Sequence, residues 1–297
     1  MSERTTDSTA LDAFTAHRNL LFTVAYQLLG SAADAEDVLQ ETWLRWSGVD
    51  QGIVRDQRAY LVRITTRQAL SQLRALGRRK ESYVGPWLPE PLLTSPDVAE
   101  HVELADSVSM AMLLVLETLT PTERAVFVLR EVFALDYEEI AAAVDRKPVT
   151  VRQIAHRARV HVADRRPRGT VSAAERQGAI TAFQRAVETG DLQELFDLLA
   201  PDVVLLGDGG GLRPTVGQPL VGAEQVTRTL AAGLPALLGR ATVHPVQVNG
   251  GPALAVRVGD QLDLITMRID EGLITGLYVV RNPEKLTRIA HENALTL

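Results

Sequence analysis

Two all-α blocks followed by an α+β domain are predicted for this 297-residue chain by three features of its sequence. Apolar residues recur at three- and four-residue spacing up to about residue 163. Proline and glycine crowd the stretch between two such helical blocks. β-Branched runs punctuated by turn residues take over beyond about residue 240.

Phe14, Leu21, Val24, Ala25 and Leu28 keep helical spacing over residues 11–29, and Gly30 is a helix stop. Ser31 offers an N-cap for a second amphipathic helix to about Trp46, and a third runs from about Gln57 to Leu76. Gly77, Gly85, Pro86, Pro89, Pro91 and Pro96 then fall within twenty residues, which neither a helix nor a central strand tolerates, so residues 81–104 read as a linker, within which Trp87-Leu88-Pro89-Glu90-Pro91 is a stiff, exposed apolar segment shaped to dock on a neighbouring domain. Helical spacing returns with Leu104, Val108, Ala111, Met112, Val115 and Leu119. Thr120-Pro121, with Glu123 one turn on, opens a helix to about Phe133, and helices over 137–144 and 148–163 follow with a tight break at 145–147. Arg165-Arg166-Pro167-Arg168-Gly169 marks the next boundary.

Beyond residue 172, helices over about 173–189 and 192–199 lead into a short apolar run at 203–206 and a glycine-rich loop at 207–217, then a helix near 224–238. Runs at 243–248, 253–258, 262–269 and 273–280 are separated by Asn249-Gly250-Gly251-Pro252, Gly259-Asp260 and Asp270-Glu271-Gly272. Hairpin turns at that spacing predict an antiparallel sheet, with the preceding helices over one face. The domain boundaries expected are 1–80, a linker over 81–104, 105–168, and 172–297.

The chain has no cysteine, which excludes disulfide frameworks, zinc-thiolate sites, iron–sulfur clusters and thiol nucleophiles. No cofactor and no metal site are expected. Residues 1–10 are polar, with Glu3, Arg4 and Asp7, so neither a signal peptide nor a membrane anchor is expected and the cytoplasm is the predicted location. The net charge of −6 hides a strong segregation. From Arg55 to Lys80 there are eight basic residues against Asp56 alone, and from Arg146 to Arg168 another eight against Asp164 alone. Asp34, Glu36, Asp37 and Glu41 form an acidic stretch before them. Two basic stripes on an acidic background suit a polyanion reader, because counterion release rewards local charge density; solvated helix faces are the plainer alternative.

The short helices flanking Asp145 carry the strongest local signal. Val151, Ile154, Ala155, Ala158 and Val162 form one apolar stripe, while Arg152, Gln153, His156, Arg157 and Arg159 project from the other faces. With Tyr137, Ile140, Ala141 and Val144 turned inward on the partner, this describes a helix-turn-helix whose basic second helix suits a major groove. A generic helical hairpin is the alternative.

The segment 119–163 resembles domain 4 of bacterial extracytoplasmic-function (ECF) sigma factors, on Thr120-Pro121-Thr122-Glu123-Arg124, Glu139-Ile140-Ala141 and Thr150-Val151-Arg152-Gln153-Ile154-Ala155-His156-Arg157-Ala158. Ala25-Tyr26-Gln27-Leu28-Leu29-Gly30-Ser31, with Asp34-Ala35-Glu36-Asp37-Val38-Leu39-Gln40-Glu41-Thr42-Trp43-Leu44-Arg45-Trp46, resembles sigma domain 2. The resemblance implies that core RNA polymerase is the partner, through its β′ clamp helices and β subunit, with Asp37, Gln40, Glu41, Trp43 and Arg45 as contacts. Trp43 and Trp46 lie three apart on one helical face, where burial in the core is an equal reading. It further implies that promoter DNA is bound at the −10 element by Arg67, Gln72, Arg74, Arg78 and Arg79, and at the −35 element by Arg146, Lys147, Thr150, Arg152, Gln153, His156 and Arg157. Two positions depart from the family pattern: Lys147 stands where a serine N-cap is usual, leaving Pro148 to start the helix, and Ser71 stands where an aspartate is common.

Tyr83-Val84-Gly85-Pro86-Trp87-Leu88-Pro89-Glu90-Pro91, Asp208-Gly209-Gly210-Gly211 and Arg281-Asn282-Pro283-Glu284-Lys285-Leu286 resemble motifs of the ECF subgroup with a fused C-terminal SnoaL-like domain of the NTF2-like α+β cone fold. The family pattern runs on to an alanine where this chain has Pro214 and Thr215. In that subgroup the fused domain modulates activity in cis, which makes Trp87, Leu88, Pro89, Asp208, Gly209, Gly210, Gly211, Asn282, Pro283, Lys285 and Leu286 interdomain regulatory residues. The glycine loop and the 282–286 tail are expected to touch the linker or domain 2. An unidentified small ligand in the cone is a further expected partner.

The cone is not expected to be an enzyme. Only Phe183, Phe196 and Tyr278 among fourteen aromatic residues lie after Arg168, and neither His244 nor His291 is spaced for a dyad with Asp208 or Asp263. Asp263 alternates with Leu262 and Leu264, as a solvent-facing strand residue would. The competing readings are a helix-turn-helix regulator fused to a small-molecule-binding or cyclase-like domain, and a ligand-sensing repressor. The acidic helix over 34–46 separates them from a sigma factor, because neither needs a surface for polymerase.

Overall fold

The computed structural model describes residues 2–94, 109–165 and 172–292, except for the side chains of 2–9, 51, 78–79, 173 and 291–292. The expectations placed on Pro96, Leu104, Val108, the 166–169 boundary and the His291 side chain therefore lie outside the described residues. The chain divides into two compact units: residues 1–81 with 115–165, and residues 82–114 with 166–297.

The first unit is helical. α1 (Ser2–Leu29), α2 (Ala32–Ser47) and α3 (Gln57–Glu81) pack on one another in pairs. Leu21, Val24, Ala25 and Leu28 are buried on α1, as their spacing predicts. Ser31 caps α2, its hydroxyl accepting from the Asp34 amide. α3 does not stop at Leu76 but runs through Gly77 to Glu81. A Cβ at Gly77 would meet nothing within 4 Å, so no close approach holds that glycine in a turn; in a helix interior a glycine costs only about 1 kcal/mol relative to alanine.

α4 (Met110–Glu117) is followed by α5 (Pro121–Phe127), which a capping box between Thr120 and Glu123 starts and a wider π-type turn, Val128–Val132, extends. α6 (Tyr137–Val144) has its own capping box from Asp136 and Glu139, and it ends on Asp145 in the left-handed conformation at φ 54°. That residue turns the chain into α7 (Pro148–Ala163), completing the helix-turn-helix.

The second unit is built on one six-stranded sheet. α8 (Ala173–Thr189) and the short α9 (Gln193–Asp197) precede β1 (Leu199–Asp208), β2 (Leu220–Val221) and α10 (Ala223–Gly233). β3 (Ala241–Val248), β4 (Gly251–Val258), β5 (Gln261–Asp270) and β6 (Leu273–Val280) follow, and α11 (Pro283–Glu292) is the last helix described. The strand order is β2-β1-β6-β5-β4-β3. The sheet is mixed where an antiparallel one was expected: β1 pairs with β6 in parallel, and every other pair is antiparallel. The helix and loop sequence between β1 and β3 sends the chain to the far edge, so β6 reaches β1 only after three hairpins. Asn249-Gly250 and Glu271-Gly272 take positive φ at both positions, as tight hairpins require.

Both faces of the sheet are covered, not one. Leu254, Val256, Ile265 and Leu277 face α8, α9 and α10. Ala253, Ala255, Leu264, Tyr278 and Val280 face the opposite way, onto Leu286 and Ile289 of α11, Leu88 of the 82–94 segment and Met110. Strands buried on both faces read as continuous apolar runs, which is how 253–256 reads.

Candidate functional site

The linker segment expected to be exposed and to touch the glycine loop and the 282–286 tail makes those contacts, and residues 88–91 are buried in them. Leu88 is fully buried and Pro89, Glu90 and Pro91 are buried with it. Residues 92–94 run antiparallel to the end of β3: Leu93 bridges Val248, the Thr94 amide donates to Gln247 O at 3.0 Å, and the Asn249 amide donates to Leu92 O at 2.8 Å. The edge strand thus gains a short extra strand from the same unit.

What holds the other end is a buried carboxylate. Asp208 closes β1 with no exposed surface. Its Oδ1 accepts from the Tyr83 hydroxyl at 2.5 Å and from the Gly210 amide at 3.1 Å, and its Oδ2 accepts from the Leu88 amide at 2.9 Å and from Lys285 Nζ at 2.7 Å. Lys285 also donates to Leu88 O at 2.6 Å, and its ammonium sits 3.4 Å from the centroid of the Trp87 ring and 5.0 Å from that of Tyr83. Asn282 donates to the Tyr83 hydroxyl at 2.9 Å while its Oδ1 accepts from the Glu284 amide, capping α11. The main-chain oxygen of Asp208 accepts from the amides of Arg281 and Asn282 at 2.7 and 2.9 Å. Burial pushes the Tyr83 phenol up, and its bond to Asp208 pushes it further.

The glycines make this closeness available. Gly210 and Gly211 have φ of 62° and 73°, and a Cβ on Gly210 would run into the Asn282 amide nitrogen. A Cβ on Gly209 would strike Arg213 O, and one on Gly211 would press on Val84. Of the residues expected to be regulatory, Trp87, Leu88, Asp208, Gly209, Gly210, Gly211, Asn282 and Lys285 therefore meet in one cluster. Pro89 is buried beside Leu88, Pro283 opens α11, and Leu286 packs under Leu88 in the sheet-face core. Tyr83 was missed as a site residue; an aromatic pair at positions 83 and 87 in a proline- and glycine-rich stretch was the available signal.

In the first unit, Asp37, Gln40, Glu41, Leu44 and Arg45 are exposed along α2. They stand at three- and four-residue intervals and so share one face. Trp43 is half-buried, edge-on to Phe14 at 5.3 Å, whereas Trp46 is fully buried with its Nε1 donating to Ala10 O at 2.9 Å. On α3, Arg67 and Arg74 are exposed. The Arg67 guanidinium donates to Ala142 O of α6 at 2.8 Å, and Gln72, half-buried, donates to Asp34 at 2.7 Å. The side chains of Arg78 and Arg79 lie outside the described residues.

On α7, Arg152, Gln153, His156 and Arg157 are exposed, as are Arg146 and Lys147 before it, and Thr150 is half-buried. Lys147 stands at the N-cap without a side-chain cap bond, and Pro148 follows at the first helical position. Arg152 lies 3.2 Å from Glu138 and 5.4 Å from the Tyr137 ring centroid, and Arg157 is 3.9 Å from Glu123. Beneath the surface, Glu117 binds two cations, Lys80 of α3 and Arg124 of α5 at 2.8 Å, and Arg124 also donates to Gln27 O at 2.8 Å. Burial works to raise the Glu117 carboxyl, but the Arg124 and Lys80 charges overcome it and hold the group below the usual carboxylate range. Burial lowers Lys80 despite that partner.

A cavity of about 460 Å³ opens in the second unit between the sheet and α8 and α10. Leu205, Leu230, Val256, Ile265 and Leu277 line its apolar body, and Asp263, Arg281, Pro214 and Thr215 lie at its polar end. Asp263 thus does not face solvent. Its carboxylate takes Arg213 at 2.6 Å and Arg281 at 3.1 Å. His244 sits exposed on β3, outside the cavity lining.

Comparison with known proteins agrees with these features. The family model for sigma-70 region 2 matches residues 13–79, and that for sigma-70 region 4 matches residues 109–162. The ECF RNA polymerase sigma factor SigJ of Mycobacterium tuberculosis is 35% identical over 295 residues, covering 92% of each chain. A probable ECF RNA polymerase sigma factor from the same species, SigI, is 33% identical and covers 94% of this chain and 96% of its own. The crystal structure of the Mycobacterium tuberculosis SigJ superposes with a TM-score of 0.75 over 93% of this chain and 98% of that one, so the sheet domain is part of the match. The chain belongs to the ECF RNA polymerase sigma factors, the initiation factors that direct transcription through sigma-70 regions 2 and 4, here followed by a SnoaL-like α+β domain.

Proposed function

We propose that this sigma factor binds the polymerase β′ clamp helices through the exposed face of α2, with Asp37, Gln40, Glu41 and Arg45 as its contacts and Trp43 at its margin. α3 serves the −10 element through Arg67, Gln72, Arg74, Arg78 and Arg79, and α7 with the preceding turn serves the −35 element through Arg146, Lys147, Thr150, Arg152, Gln153, His156 and Arg157. The proposed division is residues 1–80, a linker over 81–104, 105–168 and 172–297, acting in the cytoplasm. The exposure and shared face of the α2 residues support the first assignment, and the basic exposed face of α7 supports the last. Arg67 and Gln72 are engaged by Ala142 and Asp34, so single-strand binding by α3 requires those two bonds to exchange for bonds to DNA.

The SnoaL-like domain controls initiation in cis by holding residues 83–94. The observation that carries this reading is the buried Asp208 carboxylate, which ties Tyr83, Leu88 and Lys285 together. A chain segment fixed at both ends limits how far the sigma regions on either side of it can spread. Run-off transcription with core polymerase on the DNA upstream of the protein's own coding sequence tests it, comparing the full chain with Asp208→Asn. Output that shifts with Asp208→Asn supports control in cis; equal output at equal polymerase occupancy refutes it. The charge reversal Glu41→Lys, at an exposed site, is expected to weaken polymerase association without loss of fold.

A further inference from the structure

The cavity of the second unit has an apolar body and a charged end that does not balance. Arg213 and Arg281 flank one carboxylate, Asp263, leaving an excess of one positive charge. Arg213 donates through Nη1 to Asp263 and to Leu262 O at 3.0 Å and through Nη2 to Gln261 at 2.6 Å, and it is not among the residues that line the cavity. The Arg281 Nε donates to Asp263 and its Nη1 to Pro214 O at 2.5 Å, while its Nη2 makes no hydrogen bond among the described residues. Arg281 lines the cavity and its side chain is 29% exposed. A guanidinium with a spare donor at the end of an apolar chamber is a headgroup site for an anion that brings an apolar tail. An amine is repelled there, and an alcohol leaves the excess charge unanswered.

We propose that this cavity binds a small apolar monocarboxylic acid, with its carboxylate on Arg281 and its hydrocarbon body against Leu230, Val256, Ile265 and Leu277. The volume of about 460 Å³ lies within the range that holds small organic ligands. Occupancy has a route to the linker. The Arg281 amide donates to Asp208 O, and its guanidinium holds Pro214 O at the end of the loop whose Gly210 amide binds the Asp208 carboxylate. A carboxylate that draws Arg281 from Pro214 loosens that loop, and the grip on Tyr83 and Leu88 weakens. The binding site stands by itself; its regulatory consequence rests on the control in cis described above.

Isothermal titration of the full chain with octanoate, octanol and octylamine tests the site, since the three share one tail and differ in headgroup. Octanoate is expected to bind about tenfold to a hundredfold more tightly than octanol, as one charge-assisted hydrogen bond implies, and octylamine is expected to bind most weakly. Arg281→Gln should bring octanoate to the affinity of octanol, and Leu230→Trp, which fills the body of the chamber, should abolish binding of both. Equal affinity for all three probes, no binding of octanoate, or octanoate binding untouched by either variant overturns the site. Amide exchange of Leu88 in the wild type, with and without octanoate, tests the consequence: faster exchange is expected, and an unchanged rate with octanoate bound overturns the regulatory step alone. The Asp208→Asn transcription comparison uses no ligand, so the failure of control in cis is read separately.

Discussion

Replacing Asp208 by asparagine keeps the shape of the side chain and removes its charge. The amide then presents a donor where the Leu88 amide and the Lys285 ammonium both donate, inside a cluster with no exposed surface at position 208. Breaking a buried ion pair from one side costs about 3–5 kcal/mol, because the surviving charge stays buried without its partner. At ~1.4 kcal/mol per factor of ten, the opening equilibrium of residues 83–94 rises by about two to three and a half orders of magnitude. Native-state hydrogen exchange of the Leu88 amide reads that equilibrium directly, because Asp208 is its acceptor. Lys285→Met removes the other charge and leaves a flexible apolar chain beside Trp87 and Tyr83. The double variant is therefore expected to exchange more slowly than the sum of the two single effects requires. A rise of less than about tenfold in Asp208→Asn, or strict additivity in the double variant, would refute the claim that the ion pair holds the segment.

Four further outcomes are expected. Gly210→Ala places a Cβ against Asn282 at a left-handed φ, so it should free the Tyr83 hydroxyl from Asn282 and speed exchange in residues 83–88, measurable in the same experiment. The Tyr83 phenol is raised in the folded chain, so the stability it contributes is full below the ordinary tyrosine range near pH 10 and is lost as pH rises through the folded value; absorbance titration at alkaline pH should show Tyr83 and the buried Tyr278 ionising late, and the loss of one late tyrosine, together with linker release, in Tyr83→Phe assigns it. Glu117 is lowered, so its stabilising effect is present above the unfolded carboxyl value and is lost as pH falls through the folded one; Glu117→Gln, which leaves the buried Arg124 without its ion pair, should cost about 3 kcal/mol in denaturant unfolding of the first unit at neutral pH and flatten its acid response. Lys147→Ser supplies the cap that α7 lacks, which should add about 1 kcal/mol to thermal stability while weakening binding to promoter DNA through the lost positive charge, as seen by fluorescence anisotropy at fixed salt.

Much of the architecture was legible because it rests on local chemistry. The Ser31 and Thr120 caps, the Asp145 break and the Asn249-Gly250 turn each act within a few residues, and the apolar stripes of α1 and α7 depend only on helical period. The helix-turn-helix, the acidic α2 and the glycine loop could therefore be named in advance, and the family motifs lie on those same residues. Where local signals conflicted with packing, packing won. Gly77 reads as a breaker, yet α3 continues through it because the helix is buried on Leu73 and Leu76 before it and anchored by Lys80 after it.

What the sequence by itself determined, then, is the order of the helices and strands, the positions of their caps and turns, and the placing of basic and acidic faces. Only the tertiary structure decided which strand ends up beside β1, that both sheet faces are covered, and how deeply the proline-rich segment is buried where it docks. The reason is physical: the contacts joining Asp208 to Tyr83, Leu88 and Lys285 span between 77 and 125 residues of chain. No periodicity or propensity reaches across such separations. Asp263 makes the same point, because strand alternation says only that it faces away from Leu262 and Leu264, and α8 and α10 turned that side into a cavity wall.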